Sequence, residues 1–425
     1  MTSTPRAATQ PFAGRLVART VEVPDPGPLL DLLPTDAPTA WLRRGEGIVG
    51  WGVAASIRTS GVSRFDDAVE WWRDVSSSAV VRDDLGVPGS GLVCLGSFAF
   101  ADEPGDSVLV VPRVVVGRRG EHTWVTVVGD DELTPTPALA AQPQPAAPGN
   151  VVFTDGDVDG AEWEAIVGRA VQRINAGELE KVVLARDLVA TTDEPLDVRW
   201  PLRRLGTTYE MCWTFHVDGL FGATPELLVR RERGLVTSRV LAGTIRRTGD
   251  DGRDLALAAT LARSSKDLEE HEYAVRSVAE SLAPHCTSMN VPESPFVLHL
   301  PNVMHLATDV AGVVPDTDSS TALELAAALH PSAAVGGTPT DVATALIGEL
   351  EGMDRGRYAG PVGWMDASGD GEWGIALRSA EIDGPQVRLF AGCGIVADSD
   401  PEAELAEAQA KFVPVRDSLG GVSGA

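Results

Sequence analysis

Cysteine is scarce and scattered in this chain. Cys94, Cys212, Cys286 and Cys393 form no C-x-x-C pair, which excludes a disulfide framework or a structural zinc site and leaves reduced, buried thiols as the expectation. Positive charge is short as well, with 35 Lys and Arg against 61 Asp and Glu and a formal net charge of −26. Such a chain repels DNA, RNA and anionic lipid, and no basic stripe or basic amphipathic helix offsets it. Nucleic acid and membrane are therefore not expected partners. No stretch approaches the roughly 20 apolar residues that span a bilayer. The opening Met1-Thr-Ser-Thr-Pro-Arg-Ala-Ala-Thr-Gln has no apolar core of signal-peptide length, so a cytoplasmic protein is expected. No internal repeat is visible.

What is present is ordinary globular material: 425 residues, 44% hydrophobic and 23% charged, enough for an extensive core. Residues 1–12 read as a disordered N-terminus and 416–425 as a flexible C-terminus. Residues 13–150 are β-rich, with runs such as Gly47-Ile-Val-Gly-Trp-Gly-Val-Ala and Ser107-Val-Leu-Val-Val-Pro-Arg-Val-Val-Val. They end in a Pro/Ala-rich connector over 134–149 that has no hydrophobic period. From 151 to 415 strands and helices intersperse without a regular βαβ beat. Trp163, Ile166, Val167, Ala170, Val171 and Ile174 fall at helical spacing, with Asp159 as cap and Gly177 as stop. Strand content follows in Lys181-Val-Val-Leu-Ala-Arg and in the segments flanking the Asp370-Gly371 hairpin signal. The pattern predicts an α+β fold with large, mostly antiparallel sheets. Asp155-Gly-Asp-Val-Asp-Gly160 opens like an EF-hand loop, but its twelfth position is Ile166 where a bidentate Glu is needed. It is read as a turn into the helix. Gly392-Cys-Gly-Ile-Val lacks the third glycine of a dinucleotide fingerprint, and close backbone approach to a ligand suits its glycines better.

Two acidic pairs carry the chemistry. Asp267 and Glu270 lie in Lys266-Asp-Leu-Glu-Glu-His271, and Glu404 and Glu407 in Glu404-Leu-Ala-Glu407 with Lys411 one turn on. An i, i+3 spacing sets each pair on one helical face, where four oxygen donors can converge on one Mg2+ ion. A carboxylate-held metal would supply local positive charge for an anionic substrate that so acidic a chain otherwise has little means to attract. Each pair alone would also suit a solvated helix face.

The order of the motifs is more specific than any one of them. Lys181-Val-Val-Leu-Ala-Arg186, Phe221-Gly-Ala-Thr-Pro-Glu-Leu-Leu228, Leu241-Ala-Gly-Thr244, Ser265-Lys-Asp-Leu-Glu-Glu-His271, His305-Leu-Ala-Thr308 and Leu329-His-Pro-Ser-Ala-Ala-Val-Gly-Gly337 come first. Arg355-Gly-Arg-Tyr-Ala-Gly-Pro-Val-Gly363, Ala376-Leu-Arg378, Ala391-Gly-Cys-Gly-Ile-Val396 and Ser399-Asp-Pro-Glu-Ala-Glu-Leu-Ala-Glu407 complete the series. From Gly160 to about Val413 the chain resembles the chorismate-utilising enzyme family, and within it the isochorismate synthases. The resemblance implies two large antiparallel sheets packed together with flanking helices, as in anthranilate synthase component I, and makes 151–415 the chorismate-binding catalytic region. It implies Glu270 and Glu407 as direct Mg2+ ligands, with Asp267 and Glu404 acting through water. Lys181 matches the general base and Glu226 the general acid. Gly243, Thr244, His305, Ala334, Tyr358, Arg378, Gly392 and Lys411 match positions at or near chorismate.

The chemistry fits these roles. Chorismate is a dianion, and its ring carboxylate needs Lys411 and a metal while its enolpyruvyl carboxylate suits the planar fork of Arg378. Water addition at C2 with loss of the C4 hydroxyl needs a base and an acid on opposite sides of the ring. A basic Lys181 requires its pKa to fall from about 10.4 toward roughly 7 to 8, and an acidic Glu226 requires the opposite shift. Ala242 departs from aminodeoxychorismate synthases, which carry lysine there. Val240-Leu-Ala-Gly-Thr departs from the Pro-Ile-Ala-Gly-Thr usual in anthranilate synthases, and no glutaminase signature or tryptophan-binding segment is found. Alternatives left open are a salicylate synthase, which goes on to eliminate pyruvate, and a catalytically silent chorismate- or metal-binding protein. The product could feed menaquinone or siderophore synthesis. A monomer with no glutaminase partner is expected.

Overall fold

Residues 14–300, 303–315 and 320–420 are described by the computed structural model, and the side chains of Lys266 and Glu270 lie outside that description. The disordered terminus expected over 1–12 and residues 421–425 also fall outside it. The described strands join in one hydrogen-bonded ladder of 21 members. Among them the one parallel pair is Leu16–Glu22 with Val80–Asp83. The two antiparallel sheets expected from sequence are thus continuous with each other. Strand Glu46–Thr59, 14 residues long, shows how one ladder serves several cores. Its Ile48 and Val49 enter different apolar clusters because successive side chains of a strand point to opposite faces, and beyond the register shift between Val53 and Ala55 its Ala55 enters a third.

Helices cover these faces through narrow apolar stripes. In helix Gly160–Asn175, Trp163, Ile166, Val167, Ala170 and Ile174 are buried, and the Asp159 carboxylate accepts from Glu162 N–H at 2.9 Å, as the spacing predicts. The other acids of the EF-hand-like stretch are used separately, Asp155 on Arg186 and Asp157 on Arg388. Helix Pro401–Leu419 starts with Pro401 in its first turn and Asp400 as cap, and it buries Ala408, Phe412, Val415 and Leu419. Burial of Leu419 carries this helix past residue 415, so the boundary drawn there from sequence moves four residues outward.

The Pro/Ala-rich connector has no regular structure, yet it is docked. Gln142 N–H donates to Asp31 O at 2.7 Å, Arg199 donates to Pro143 O, and Leu139 packs against the second apolar cluster. All four cysteines are free; Cys94, Cys212 and Cys393 are buried and Cys286 is half-buried. Among the described residues no helix is long and apolar enough to cross a membrane.

Candidate active site

A cavity of about 290 Å³ opens where the Lys181–Thr192, Leu235–Arg246 and Gln386–Ile395 strands meet the Ser265–Leu282 and Pro401–Leu419 helices. Its lining includes Lys181, Glu226, Gly243, Thr244, Asp267, His305, Ala334, Tyr358, Arg378, Gly392, Glu404, Glu407 and Lys411. Every site residue read from sequence is therefore brought to one cavity except Glu270, whose side chain lies outside the described residues.

Local backbone irregularity aims several of these groups. The Leu235–Arg246 strand pairs with Val303–Val313, and its register shifts between Ala242 and Thr244 so that Thr244 falls opposite His305. The shift is a bulge at Gly243, which holds φ +76°, and a Cβ there would lie 3.1 Å from the Cβ of Asp267. Only glycine enters that conformation without strain. One result is contact between Thr244 Oγ1 and His305 Nδ1 at 3.0 Å. Burial drives the His305 imidazole down to about 3, with Arg378 and Lys411 adding to the effect, so the ring is neutral. Its Nε2 is buried with no hydrogen-bond partner among the described residues, an atom left for a ligand to satisfy.

Glu226 follows Pro225 at the break between strands Leu220–Thr224 and Leu227–Glu232, beside a second register shift at Leu227 and Val229. It is 6% exposed. Burial pushes its carboxyl up to about 8, against the opposing pull of Arg378, Lys181 and Lys411. A carboxyl in this condition holds a proton at neutral pH, which is what donation to a leaving group requires. Arg378 has the left-handed φ of +49° and makes no hydrogen bond or ion pair through its guanidinium with any described residue. Non-glycine residues in this region are uncommon and cluster at functional sites.

The acidic end of the cavity is tightly organised. Lys411 Nζ lies 2.6 Å from Glu407 Oε1 and donates to Gly392 O at 2.8 Å. Burial opposes the charge on Glu407, but Lys411 and Arg378 outweigh it and hold the carboxylate below its ordinary value. Ser399 Oγ donates to Glu404 Oε1 at 2.8 Å. At Gly392 a Cβ would meet Leu184 O at 2.9 Å and the Tyr358 hydroxyl at 3.2 Å, and the Tyr358 ring stacks on Phe390 at 5.2 Å. The carboxylates of Glu404 and Glu407 lie within 4.8 Å of each other and of Cys393 Sγ. Carboxylate oxygens suit a hard divalent cation, and Glu407 already holds a cationic partner in Lys411.

Some members of the site had no assigned role in the sequence reading: Ser399, Cys393, and Arg355 with its partner Glu351. One legible signal was missed. The chain has only three lysines, at 181, 266 and 411, and two of them line this cavity. Where arginine fills nearly all other basic positions, a retained lysine marks a place that needs a compact ammonium or a titratable amine.

Comparison with known proteins agrees with this architecture. Residues 37–420 match the family described as chorismate binding enzyme. Isochorismate synthase DhbC of Bacillus subtilis is 43% identical over 60% of this chain and 66% of its own length. Isochorismate synthase MenF of the same organism is 31% identical over 88% of this chain and 85% of its own. The solved structure of MenF, the menaquinone-specific isochorismate synthase of Escherichia coli, superposes with a TM-score of 0.79 at 26% identity, covering 96% of each chain. A match over nearly the whole fold, joined to a cavity that gathers the motif residues, makes this chain a member of the chorismate binding enzyme family.

Proposed function

We propose that this protein is an isochorismate synthase, an isomerase that adds water at C2 of chorismate while the C4 hydroxyl leaves and the ring double bonds shift. Lys181 takes a proton from the attacking water as the O–C2 bond forms. Glu226 gives its proton to the C4 oxygen as that C–O bond breaks, so a second water is released. One proton is taken and one is given, and their return between the two groups resets the site. Arg378, free of any described carboxylate partner, receives the enolpyruvyl carboxylate in a bidentate grip, with backbone N–H groups near Gly392 alongside. Lys411 faces the ring carboxylate. Thr244, His305, Ala334 and Tyr358 wall the ring, and the bulge at Gly243 allows it close approach.

Mg2+ would be held by Glu270 and Glu407 directly and by Asp267 and Glu404 through water, and it would neutralise and anchor the ring carboxylate. The observation that carries this reading is the pairing, in one cavity, of a lysine with a carboxyl pushed up to about 8. Incubation of the purified protein with chorismate and Mg2+, followed by chromatography, tests it. Isochorismate is the expected product; salicylate with pyruvate, or no turnover despite chorismate binding, would contradict it. Lys181→Ala should abolish turnover.

A further inference from the structure

The strand that starts at Lys181 has a gap along one edge. Its first two residues, Lys181 and Val182, pair with Thr338 and Gly337, and Val183 N–H donates to Gly336 O at 2.8 Å. From Leu188 onward the same edge is taken up by Val151–Asp155. Between these neighbours Asp187 O accepts from Gly156 N–H at 3.2 Å, and the edge groups of Val183 and Ala185 that no strand reaches are left to side chains. A buried backbone group without a partner is costly, so whatever fills the gap fixes the path of the strand.

Glu351 and Arg355 fill it. They are 2% and 3% exposed and form a bidentate pair, with Arg355 Nε donating to Glu351 Oε2 at 2.9 Å and Nη2 to Oε1. Ala185 N–H donates to Glu351 Oε1 at 2.7 Å. Arg355 Nη2 donates to Val183 O at 2.7 Å, and Nη1 to Val335 O at 3.1 Å. The guanidinium also lies over the Phe100 ring at 4.1 Å. The remaining edge group, Ala185 O, accepts from Trp163 Nε1 at 3.1 Å. The ion pair thus does the work of a missing strand two residues beyond Lys181, and it ties that strand to the segment carrying Ala334. It also fixes Ala185, the partner of Gly392 in the adjoining ladder.

We infer that Glu351 and Arg355 are positioning residues for the reaction, holding the Lys181 strand and the Ala334 segment at the separation that catalysis requires. This rests on the proposed isomerase activity. The guanidinium suits the task because its planar donors reach two carbonyls and a carboxylate together, which an ammonium does not. Misplacement of a reacting group by about 1 Å costs on the order of 100-fold in rate, so loss of the pair is read in turnover more than in substrate affinity.

The test is chemical rescue. Arg355→Ala leaves a guanidinium-shaped space on the wall of the cavity. Its kcat should fall roughly 100-fold with KM within about threefold of wild type. Millimolar guanidinium should restore kcat at least tenfold, and methylammonium at the same concentration should not. Hydrogen exchange at the peptide containing Ala185 should accelerate in the variant and slow again with guanidinium. Should Arg355→Ala fail to fold, Arg355→Lys supplies the kcat, KM and hydrogen-exchange readings without the rescue, keeping the charge while losing part of the fork. A raised KM with unchanged kcat would assign Arg355 to substrate contact and overturn the inference. Accelerated exchange with unaltered kcat would also overturn it, leaving a purely structural pair. The exchange reading does not depend on the reaction, so failure of wild type to convert chorismate would sink the proposed function and leave this arm intact.

Discussion

Lys411 Nζ lies 2.6 Å from Glu407 Oε1 across one turn of the last helix and donates to Gly392 O, and Lys411 lines the cavity. A half-buried ammonium held by a carboxylate and a carbonyl is fixed in position before any substrate arrives. Lys411→Met should therefore raise KM for chorismate roughly 10- to 100-fold, the worth of about 1.5–3 kcal/mol for a hydrogen bond to a charged group. Steady-state kinetics checks this, and an unchanged KM would remove Lys411 from the substrate's carboxylate.

Glu226 makes a pH prediction with a definite sign. Its carboxyl, ordinarily near 4.5, is pushed up to about 8 by burial. The acid form does the chemistry, so kcat should decline as pH rises through about 8. Glu226→Gln should lose on the order of 100- to 10,000-fold in activity.

The same shift links to stability in the direction opposite to a salt-bridged acid. Between the ordinary value and about 8 the folded state binds the proton that the unfolded chain has released, so folding stability contributed by this group falls as pH rises across that window. Glu226→Gln removes the dependence. Urea unfolding at pH 5 and pH 8 should show the variant gaining relative to wild type at the higher pH, and parallel curves would refute the raised carboxyl.

Gly243 combines φ +76° with an Asp267 Cβ only 3.1 Å from where a methyl group would sit. Gly243→Ala should cost about 1–3 kcal/mol in urea unfolding. It should also raise KM by shifting Thr244 away from His305. Equal stability and kinetics would mean that the bulge does not set the site.

Much of this site was legible because its groups are chemically demanding and locally encoded. Lys181 heads an apolar strand, Glu226 follows a Pro that interrupts the ladder, and the acids at 404 and 407 share a helix face with Lys411. The helix of 160–175 could be read from its apolar spacing and its cap alone. What sequence did not yield depends on partners far along the chain. The joining of two expected sheets into one ladder is decided by backbone pairings such as Gly363 with Gly96. The role of Glu351 is visible only when Ala185, 166 positions away, is beside it. The connector gave no periodic signal because its docking runs through isolated contacts at Leu139, Gln142 and Pro143. Lysine scarcity was readable from the start and would have pointed to residues 181, 266 and 411 without any motif, two of which line the cavity.

The origin of the product's new hydroxyl tests the central claim most directly. Chorismate incubated with the protein and Mg2+ in 18O-labelled water should yield isochorismate whose C2 hydroxyl carries the label, with the original C4 oxygen lost to solvent, and Lys181→Ala and Glu226→Gln should yield none. Unlabelled isochorismate, or labelled product formed at wild-type rate by either variant, would contradict an amine and a carboxyl acting on opposite ends of a water exchange.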